Sequence, residues 1–215
     1  MVDLEKRRPL GSRNTKWAAR CAGALADRGV TPNAISQASM GAALVAGLAF
    51  AASGYMPGPL GVSALLILGA LCCQLRLLCN LFDGMVAVEA GRSAPDGPLW
   101  NEFPDRVSDL LIFAGVGLGS GNLALGLATG AMAVLTAYTR ELGSGLGMPP
   151  DFSGPMAKPQ RMALVTGAAI LSVFEPLLAT PGTVLTGALW IIAIGAALTS
   201  VRRAAHIRAA LLKRG

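Results

Sequence analysis

The chain has 215 residues, of which 53% are hydrophobic and only 14% are charged, and its mean hydropathy is +0.55. This composition excludes an ordinary soluble domain, which is less apolar, and it indicates a membrane protein. The net charge of +6 requires no nucleic-acid partner, because membrane proteins concentrate lysine and arginine in their cytoplasmic loops.

The N-terminal residues predict a helix at the membrane surface. Trp17, Cys21 and Leu25 recur at helical spacing with charged residues beside them, a pattern typical of an amphipathic helix that lies in the interface. A helix packed on the protein's own cytosolic surface explains the same pattern equally well. Gly29 is expected to end the helix. Residues 1–33 are therefore interpreted as a cytoplasmic and interfacial segment.

Six apolar segments follow in chain order, and each predicts a transmembrane helix. They lie at residues 34–53, 60–81, 110–119, 123–138, 162–174 and 183–201. Several are shorter than a full span, so polar cytosolic turns are expected to extend them. The predicted fold class is an all-α integral membrane protein of one domain, 1–215, with a six-helix bundle at 34–205 and a cytoplasmic tail at 206–215.

Lysine and arginine residues alternate between the connections along the chain. They occur before the first span and after the last one, and also around the second connection (Arg76, Arg92 and Arg106) and the fourth (Arg140, Lys158 and Arg161), whereas the first, third and fifth connections contain none. Because cytoplasmic loops carry an excess of Lys and Arg, both termini and the even-numbered connections are expected in the cytoplasm. The expected location is a bacterial inner membrane. Attraction to anionic lipid headgroups is the simplest further role for these charges.

Five carboxylate and amide side chains lie near the cytosolic ends of the second and third spans. They are Asn80, Asp83, Asn101, Asp105 and Asp109. Residues three or four apart share a helix face, so two antiparallel stripes of oxygen atoms are expected to converge. Mg²⁺ and Mn²⁺ prefer such oxygens, and a metal ion would relieve the repulsion between neighbouring carboxylates. All five residues are therefore candidate metal ligands.

The residues around this cluster resemble the signature of the CDP-alcohol phosphotransferase family, D-x-x-D-G-x-x-A-R-x8-G-x-x-x-D-x-x-x-D. The positions that match are Asp83, Gly84, Ala87, Gly97 and Asp105. The chain departs from the signature at Asn80 and Asn101, where the family has Asp, and at Val88, where it has Arg. The turn into the first span and the stretch 140–158 also resemble the family, so the likeness covers most of the chain.

A second alignment shifts the end of the signature by four residues. It places Asp105 and Asp109 at the last two acidic positions, at the cost of the signature Gly and a longer loop. The unshifted alignment is preferred, and under it Glu102 and Asp109 are candidate substitutes for the lost negative charge. Arg92 or Arg106 is the candidate substitute for the missing signature Arg.

The resemblance implies transfer of a substituted phosphate from a CDP-linked donor to an alcohol, with release of CMP. The four acidic positions of the signature would hold one or two Mg²⁺ or Mn²⁺ ions on the diphosphate; here they are Asn80, Asp83, Asn101 and Asp105. Asp105 also matches the family's general base, which takes the proton of the attacking hydroxyl. Close approach of the nucleotide is implied at three small residues, Gly84, Ala87 and Gly97.

Three basic residues come before or at the start of the fifth span. Arg140, Lys158 and Arg161 are candidates for binding a donor or acceptor phosphate. A simple role in marking the cytoplasmic side is an equally good interpretation of their charge. Small residues throughout the spans allow close helix packing, and the resemblance implies a homodimer.

The leading hypothesis from the sequence is a phosphatidyltransferase of phospholipid biosynthesis that uses CDP-diacylglycerol as its donor. The first alternative is the same reaction with a soluble CDP-alcohol donor and a lipid alcohol acceptor. A membrane transporter or ion-binding protein is the second, because intramembrane carboxylates also line ion paths. A family member without catalytic activity is the third, because two acids and the Arg of the signature are missing.

Overall fold

Every regular element in the described part of the chain is a helix. The computed structural model describes residues 15–89, 95–178 and 180–214. The helices are α1 (Lys16–Asp27), α2 (Pro32–Ser53), α3 (Pro59–Glu89), α4 (Gly97–Gly119), α5 (Leu123–Gly145), α6 (Lys158–Ser172), α7 (Glu175–Leu178) and α8 (Thr183–Leu212). The predicted all-α class is confirmed for these residues. Residues 1–14 of the predicted interfacial segment, and Arg92, lie outside them.

Local capping sets where two of the long helices begin. The Thr31 hydroxyl accepts a hydrogen bond from the Ala34 N–H at 3.2 Å, and Pro32 occupies the first turn of α2, where its missing N–H costs little. The Asn122 side chain accepts from the Leu125 N–H at 3.3 Å and starts α5 in the same way. The turns into the second and fifth helices therefore follow from short-range chemistry.

Helix α1 packs on α3 through a narrow stripe of small residues. Ala18, Ala22 and Ala26 are buried, while Trp17 is half exposed and meets the Phe82 ring edge-to-face, with the ring centroids 5.9 Å apart. The buried face is thus displaced by one residue from the predicted Trp17 stripe, of which Trp17 and Leu25 still touch the protein. That stripe stays largely exposed, so its burial in a membrane interface remains a prediction.

Six helices close into a ring. Helix α3 packs on α2, α2 on α4, α4 on α5, α5 on α8, α8 on α6, and α6 returns to α3. The interior of the ring is filled by fully buried apolar side chains, among them Phe50, Ile112, Phe113, Leu189 and Ile192. Closure of the ring brings the start of α6 beside α3 and α4, although these elements are distant in sequence.

Four of the described helices are long and apolar enough to cross a membrane. They are α2, α3, α5 and α8, and their outer faces carry exposed apolar side chains such as Leu48, Leu71 and Ile194. These features are those of a membrane protein. Among the residues the structure covers, α4 and α6 do not reach the same length and apolarity. The count of six spans therefore stays a prediction.

Glycine residues let α2 and α4 approach each other closely. A Cβ atom at Gly115 would lie 2.1 Å from the Gly47 carbonyl oxygen, and one at Gly119 would lie 1.9 Å from the Phe50 carbonyl oxygen. No side chain fits in either place without separating the helices. Small residues at a helix crossing gain van der Waals contact between backbones, and here they fix the position of α4, which carries several of the predicted site residues.

The Gly47→Ala substitution is expected to destabilise the fold by about 1–3 kcal/mol, because overpacked positions cost that much. The new Cβ atom would lie 2.5 Å from the Leu111 carbonyl oxygen, which is backbone and cannot rotate away. Gly41→Ala, in the same helix, is the matched control, since no atom lies within 4 Å of its Cβ position. Thermal unfolding in detergent compares the two, and equal unfolding temperatures would contradict the close packing of α2 on α4.

Candidate functional site

Charged and polar side chains from three helices meet where the C-terminal half of α3 crosses the first half of α4 and the start of α6. On each helix these side chains are three or four residues apart and therefore share one face. The side chains are Arg76, Asn80 and Asp83 from α3, Asp105 and Asp109 from α4, and Lys158 and Arg161 from α6. Helix α6 starts at Lys158 with a proline in its first turn, so the lysine is held at a helix end.

Asp105 is the centre of this group. Its Oδ2 atom lies 2.5 Å from the Lys158 ammonium nitrogen, and its Oδ1 atom accepts from the Asn80 amide at 2.6 Å. The Arg76 guanidinium donates to the Asp105 backbone carbonyl at 3.1 Å and lies 3.4 Å from Oδ1. The Asp105 side chain is 18% exposed, so it is held by several donors and still reaches solvent.

Asp109 lies deeper, one helical turn along α4, between two guanidinium groups. Its Oδ1 atom is 2.9 Å from Arg76 Nη2, and its Oδ2 atom is 2.7 Å from Arg161 Nη2. Arg76 is fully buried, and the other two side chains are at most 6% exposed. Arg161 also donates to the Thr136 hydroxyl and the Met156 carbonyl. Buried charges require such paired partners, so Asp109 is the counter-ion of both arginines.

Asn80 and Asp83 face helix α2. The Ser36 hydroxyl donates to Asp83 Oδ2 at 2.8 Å, and the Ser39 hydroxyl donates to Asn80 Oδ1 at 2.6 Å. The Asn80 amide nitrogen consequently points at Asp105. Asn101 is placed differently, because it is exposed and its amide lies 3.3 Å from a Glu102 carboxylate oxygen. The structure thus brings Asn80, Asp83 and Asp105 together and leaves Asn101 at the surface.

Glu102, the candidate substitute for lost negative charge, is occupied by arginines. Its carboxylate contacts both Arg106 and Arg140. Arg140 also lies 2.9 Å from Glu141 and stacks over the Phe152 ring, 5.5 Å from the ring centroid. These contacts hold Arg140 at the edge of the site. The Glu102 carboxylate is therefore paired with arginine side chains.

A polar cavity opens beside Asp105. Its empty volume is about 420 Å³, part of which is open to solvent. Asp105 and Asp109 are the acidic residues of its lining, and basic residues come from four helices: Arg106, Arg140, Lys158, Arg161 and Arg203. Basic residues therefore outnumber acidic ones around the cavity, and such a concave surface attracts anions. The three predicted phosphate-binding residues all lie on it.

The loop between α5 and α6 covers one side of the cavity through Phe152. Its neighbour Asp151 accepts a hydrogen bond from the Ser153 N–H at 2.8 Å and lies 3.1 Å from the His206 ring nitrogen Nδ1. Burial by itself would raise the pKa of Asp151, but these hydrogen bonds hold that pKa below its ordinary value. The ionised carboxylate thus ties the loop to the C-terminal part of α8.

Comparison with known proteins identifies relatives of this arrangement. No family model matches the chain. A curated phosphatidylinositol phosphate synthase from Streptomyces avermitilis is 28% identical over 149 residues, which are 65% of this chain and 61% of that protein. The chain thus spans about three fifths of the length of the curated relative it matches.

Comparison with solved structures shows that the fold of nearly the whole chain is similar to that of a known enzyme. Phosphatidylinositol phosphate synthase of Mycobacterium tuberculosis, in complex with manganese and citrate, matches with a TM-score of 0.72 at 22% identity over 88% of each chain. The same enzyme with CDP-DAG bound matches with a TM-score of 0.72 at 22% identity, over 90% of this chain and 94% of that one. The chain therefore has the fold of this phosphatidylinositol phosphate synthase. The resemblance predicted from the signature is thereby confirmed.

The remaining residues of the signature lie near the end of α3 and in the first half of α4. Gly84 and Ala87 lie one turn apart, half-buried, near the end of α3, and Gly97 begins α4. Among the described residues, no atom lies within 4 Å of a Cβ atom placed at Gly97. The position is therefore open, and its use by a nucleotide stays a prediction. Val88 is half-buried near the end of α3. Arg106, a candidate for the missing signature Arg, pairs with Glu102.

The fit of the site to a divalent ion rests on Asp83, Asp105 and Asn80. Asp105 accepts from Asn80, which lies one turn before Asp83 on α3, whereas Asp109 is enclosed by guanidinium groups. In the described ranges, no three acidic, cysteine or histidine side chains converge as a metal-ligand group. Two carboxylates and one amide can serve one Mg²⁺ or Mn²⁺ ion, because these ions complete their shells with water and substrate phosphate.

Sequence reasoning missed two arginines of the site. The sequence interpretation of Arg76 is that of a topology marker, although it is the one basic residue of α3 and follows a long apolar run, and basic residues in such segments usually have a buried partner. Arg203 donates to the Thr136 carbonyl at 2.6 Å and to the Ser153 carbonyl at 3.1 Å. No local pattern distinguishes Arg203 from the other basic residues after the last span.

Proposed function

We propose that this chain is an integral membrane CDP-alcohol phosphotransferase. It transfers the phosphatidyl group of CDP-diacylglycerol to an alcohol and releases CMP, in phospholipid biosynthesis. The observation that carries this proposal is the place of Asp105, whose carboxylate lines a basic cavity in the fold of such an enzyme. The M. tuberculosis relative was solved with CDP-DAG bound, which supports the choice of donor.

Asp105 is proposed as the general base. Its carboxylate lines the cavity and is oriented by Asn80 and Lys158, so it can take the proton of an acceptor hydroxyl. The hydroxyl oxygen forms the new bond to the phosphatidyl phosphorus, and the bond from that phosphorus to the CMP oxygen breaks. CMP leaves with the electron pair of that bond, and the Lys158 charge helps to balance the negative charge that develops.

The proposed reaction uses a divalent ion. Asp83, Asp105 and Asn80 would hold one Mg²⁺ or Mn²⁺ ion, which would neutralise the donor diphosphate and assist departure of CMP. The relative solved with manganese supports this choice of ion. Gly84, Ala87 and Gly97 would leave room for the nucleotide.

The acceptor is proposed to be an alcohol that carries a phosphate. Arg140 and Lys158 line the cavity and are about one fifth exposed, so both can donate charge-assisted hydrogen bonds to an anion. Arg161 has its guanidinium in the same lining, but Asp109 and Thr136 already occupy part of it. The curated relative is named for a phosphatidylinositol phosphate product, which makes an inositol phosphate the first acceptor to examine.

The membrane arrangement belongs to the same proposal. Six spans, with α4 and α6 included, would place both termini and the basic cavity on the cytoplasmic side of an inner membrane. Support comes from the alternation of Lys and Arg along the sequence and from the exposed apolar faces of the long helices. The half-exposed Trp17 supports an interfacial α1. A homodimer is proposed from the resemblance alone.

CMP release tests the function and the acceptor class together. Purified protein in detergent is incubated with CDP-diacylglycerol, Mn²⁺ and one of four acceptors: inositol phosphate, glycerol phosphate, inositol or glycerol. The phosphorylated acceptors are expected to react roughly 10- to 100-fold faster, because each lost charge-assisted hydrogen bond costs about 1.5–3 kcal/mol.

Three results would contradict the proposal or one of its parts. Absence of CMP with every CDP-linked donor, in protein shown to be folded, would remove the enzyme hypothesis and favour a transporter or an inactive relative. CMP release only from a soluble CDP-alcohol with a lipid alcohol acceptor would exchange the roles of the two substrates. Equal rates with charged and uncharged acceptors would remove the role assigned to the basic cavity.

A further inference from the structure

The Lys158 ammonium group occupies a place that a metal ion bound to Asp105 would need. Its nitrogen lies 2.5 Å from Asp105 Oδ2, and its side chain is 23% exposed at the mouth of the cavity. The other oxygen of Asp105 receives the Asn80 amide at 2.6 Å and lies 3.4 Å from Arg76. Both oxygens of Asp105 therefore have positively charged or N–H partners within the protein.

Asn80 acts toward Asp105 as a donor. Its amide oxygen accepts from Ser39, so its amide nitrogen faces the Asp105 carboxylate. The reverse orientation would point an amide oxygen at a carboxylate oxygen, which is repulsive. An Asp at position 80 would face Asp105 with a negative charge, and it would need a cation between the two groups. Asn80 removes that need.

The carboxylates of the cluster are already matched by fixed cations. Asp83, Asp105 and Asp109 supply three negative charges, and the positive charges that contact Asp105 and Asp109 are Arg76, Lys158 and Arg161. Guanidinium groups do not lose their protons in proteins, and those of Arg76 and Arg161 are buried. A divalent ion added to this group would find its negative charges already paired with positive ones, and the Lys158 ammonium group would occupy the space beside Asp105.

We propose that Lys158, with Asn80 as its partner on Asp105, replaces one divalent cation of this site, so that the chain binds at most one Mn²⁺ or Mg²⁺ ion and binds it weakly. The fixed ammonium charge then neutralises part of the negative charge of the donor diphosphate, which a metal ion would otherwise do. The inference rests on the proposed function for the identity of the ion and its substrate. Its test needs no substrate.

Binding of Mn²⁺ alone to the purified full-length chain, followed by the electron paramagnetic resonance signal of free Mn²⁺, measures the site directly. The unmodified chain is expected to bind no more than one ion. Asn80→Asp and Lys158→Met are each expected to tighten Mn²⁺ binding by roughly 10- to 100-fold, because ligand charge sets the affinity of oxygen sites. Lys16→Met removes an exposed lysine that is not part of the cavity lining and is the matched control, expected to leave the affinity unchanged.

Two results would overturn the inference. One is the binding of two Mn²⁺ ions by the unmodified chain, and the other is an unchanged affinity in both Asn80→Asp and Lys158→Met. Asn80→Asp changes the shape of the side chain little, so it keeps the test valid if Lys158→Met does not fold. CMP release is measured in the same preparations. Its absence, with the expected Mn²⁺ affinities, would contradict the proposed function and leave the inference standing.

Discussion

Asp105→Asn is expected to lower the rate of CMP release by a factor of about 100 to 10,000, which is the usual contribution of a general acid or base. The amide keeps the size of the side chain, and its single oxygen can still accept from either the Asn80 amide or the Lys158 ammonium group. It cannot take the proton of the acceptor hydroxyl. Helix content and unfolding temperature should change little by comparison, because Asp105 is partly exposed and its partners keep other contacts with the protein or solvent.

Asp96→Asn is the matched control for this experiment. Asp96 is an exposed carboxylate just before α4 that accepts hydrogen bonds from Asn33 and Trp100, and it lies outside the cavity lining. Its substitution should leave CMP release within about twofold, a change worth less than 0.5 kcal/mol. Full activity in Asp105→Asn, with activity lost in Asp109→Asn, would instead favour the alignment shifted by four residues.

Asp109→Ala is expected to destabilise the protein by about 3–5 kcal/mol, the cost of removing one partner from a buried ion pair. Asp109 joins the guanidinium groups of Arg76 and Arg161 at 2.9 Å and 2.7 Å. Without it, Arg161 keeps a hydroxyl and a carbonyl partner but no carboxylate. Its charge is then buried without compensation, and the contacts that hold α4, α3 and α6 together are weakened.

The measurement is unfolding in mixed micelles, followed by circular dichroism. Asp151→Ala is a suitable comparison, because Asp151 pairs with the exposed His206, and pairs of this kind contribute about 0–1 kcal/mol. Unfolding of Asp109→Ala at the same denaturant concentration as Asp151→Ala would contradict the structural role. It would also reopen Asp109 as a ligand for a metal ion.

Much of the architecture follows from interactions that are short in sequence. Apolar runs of the right length predict helices, and Thr31 and Asn122 begin two of them by capping a backbone N–H three residues away. The signature spacing likewise places Asn80 and Asp83 on one face of α3, and Asp105 and Asp109 on one face of α4, because residues three or four apart on a helix share a face. Local periodicity and composition are therefore sufficient for the all-α class of the described residues, whereas the catalytic role of Asp105 stays a prediction.

The charge partners of the site were decided only by the tertiary structure. Lys158 and Asp105 are 53 residues apart in sequence, and Arg161 and Asp109 are 52 apart. From the sequence alone, Arg76 is a topology marker and Asp109 a possible ligand. Closure of the ring brings α6 against α3 beside α4 and turns these residues into one ion-pair cluster. Helical periodicity predicts which residues share a face of one helix. Which other helix packs on that face depends on the tertiary structure, because the two helices are distant in sequence. In an apolar interior each buried charge needs an opposite charge on the helix that packs against it.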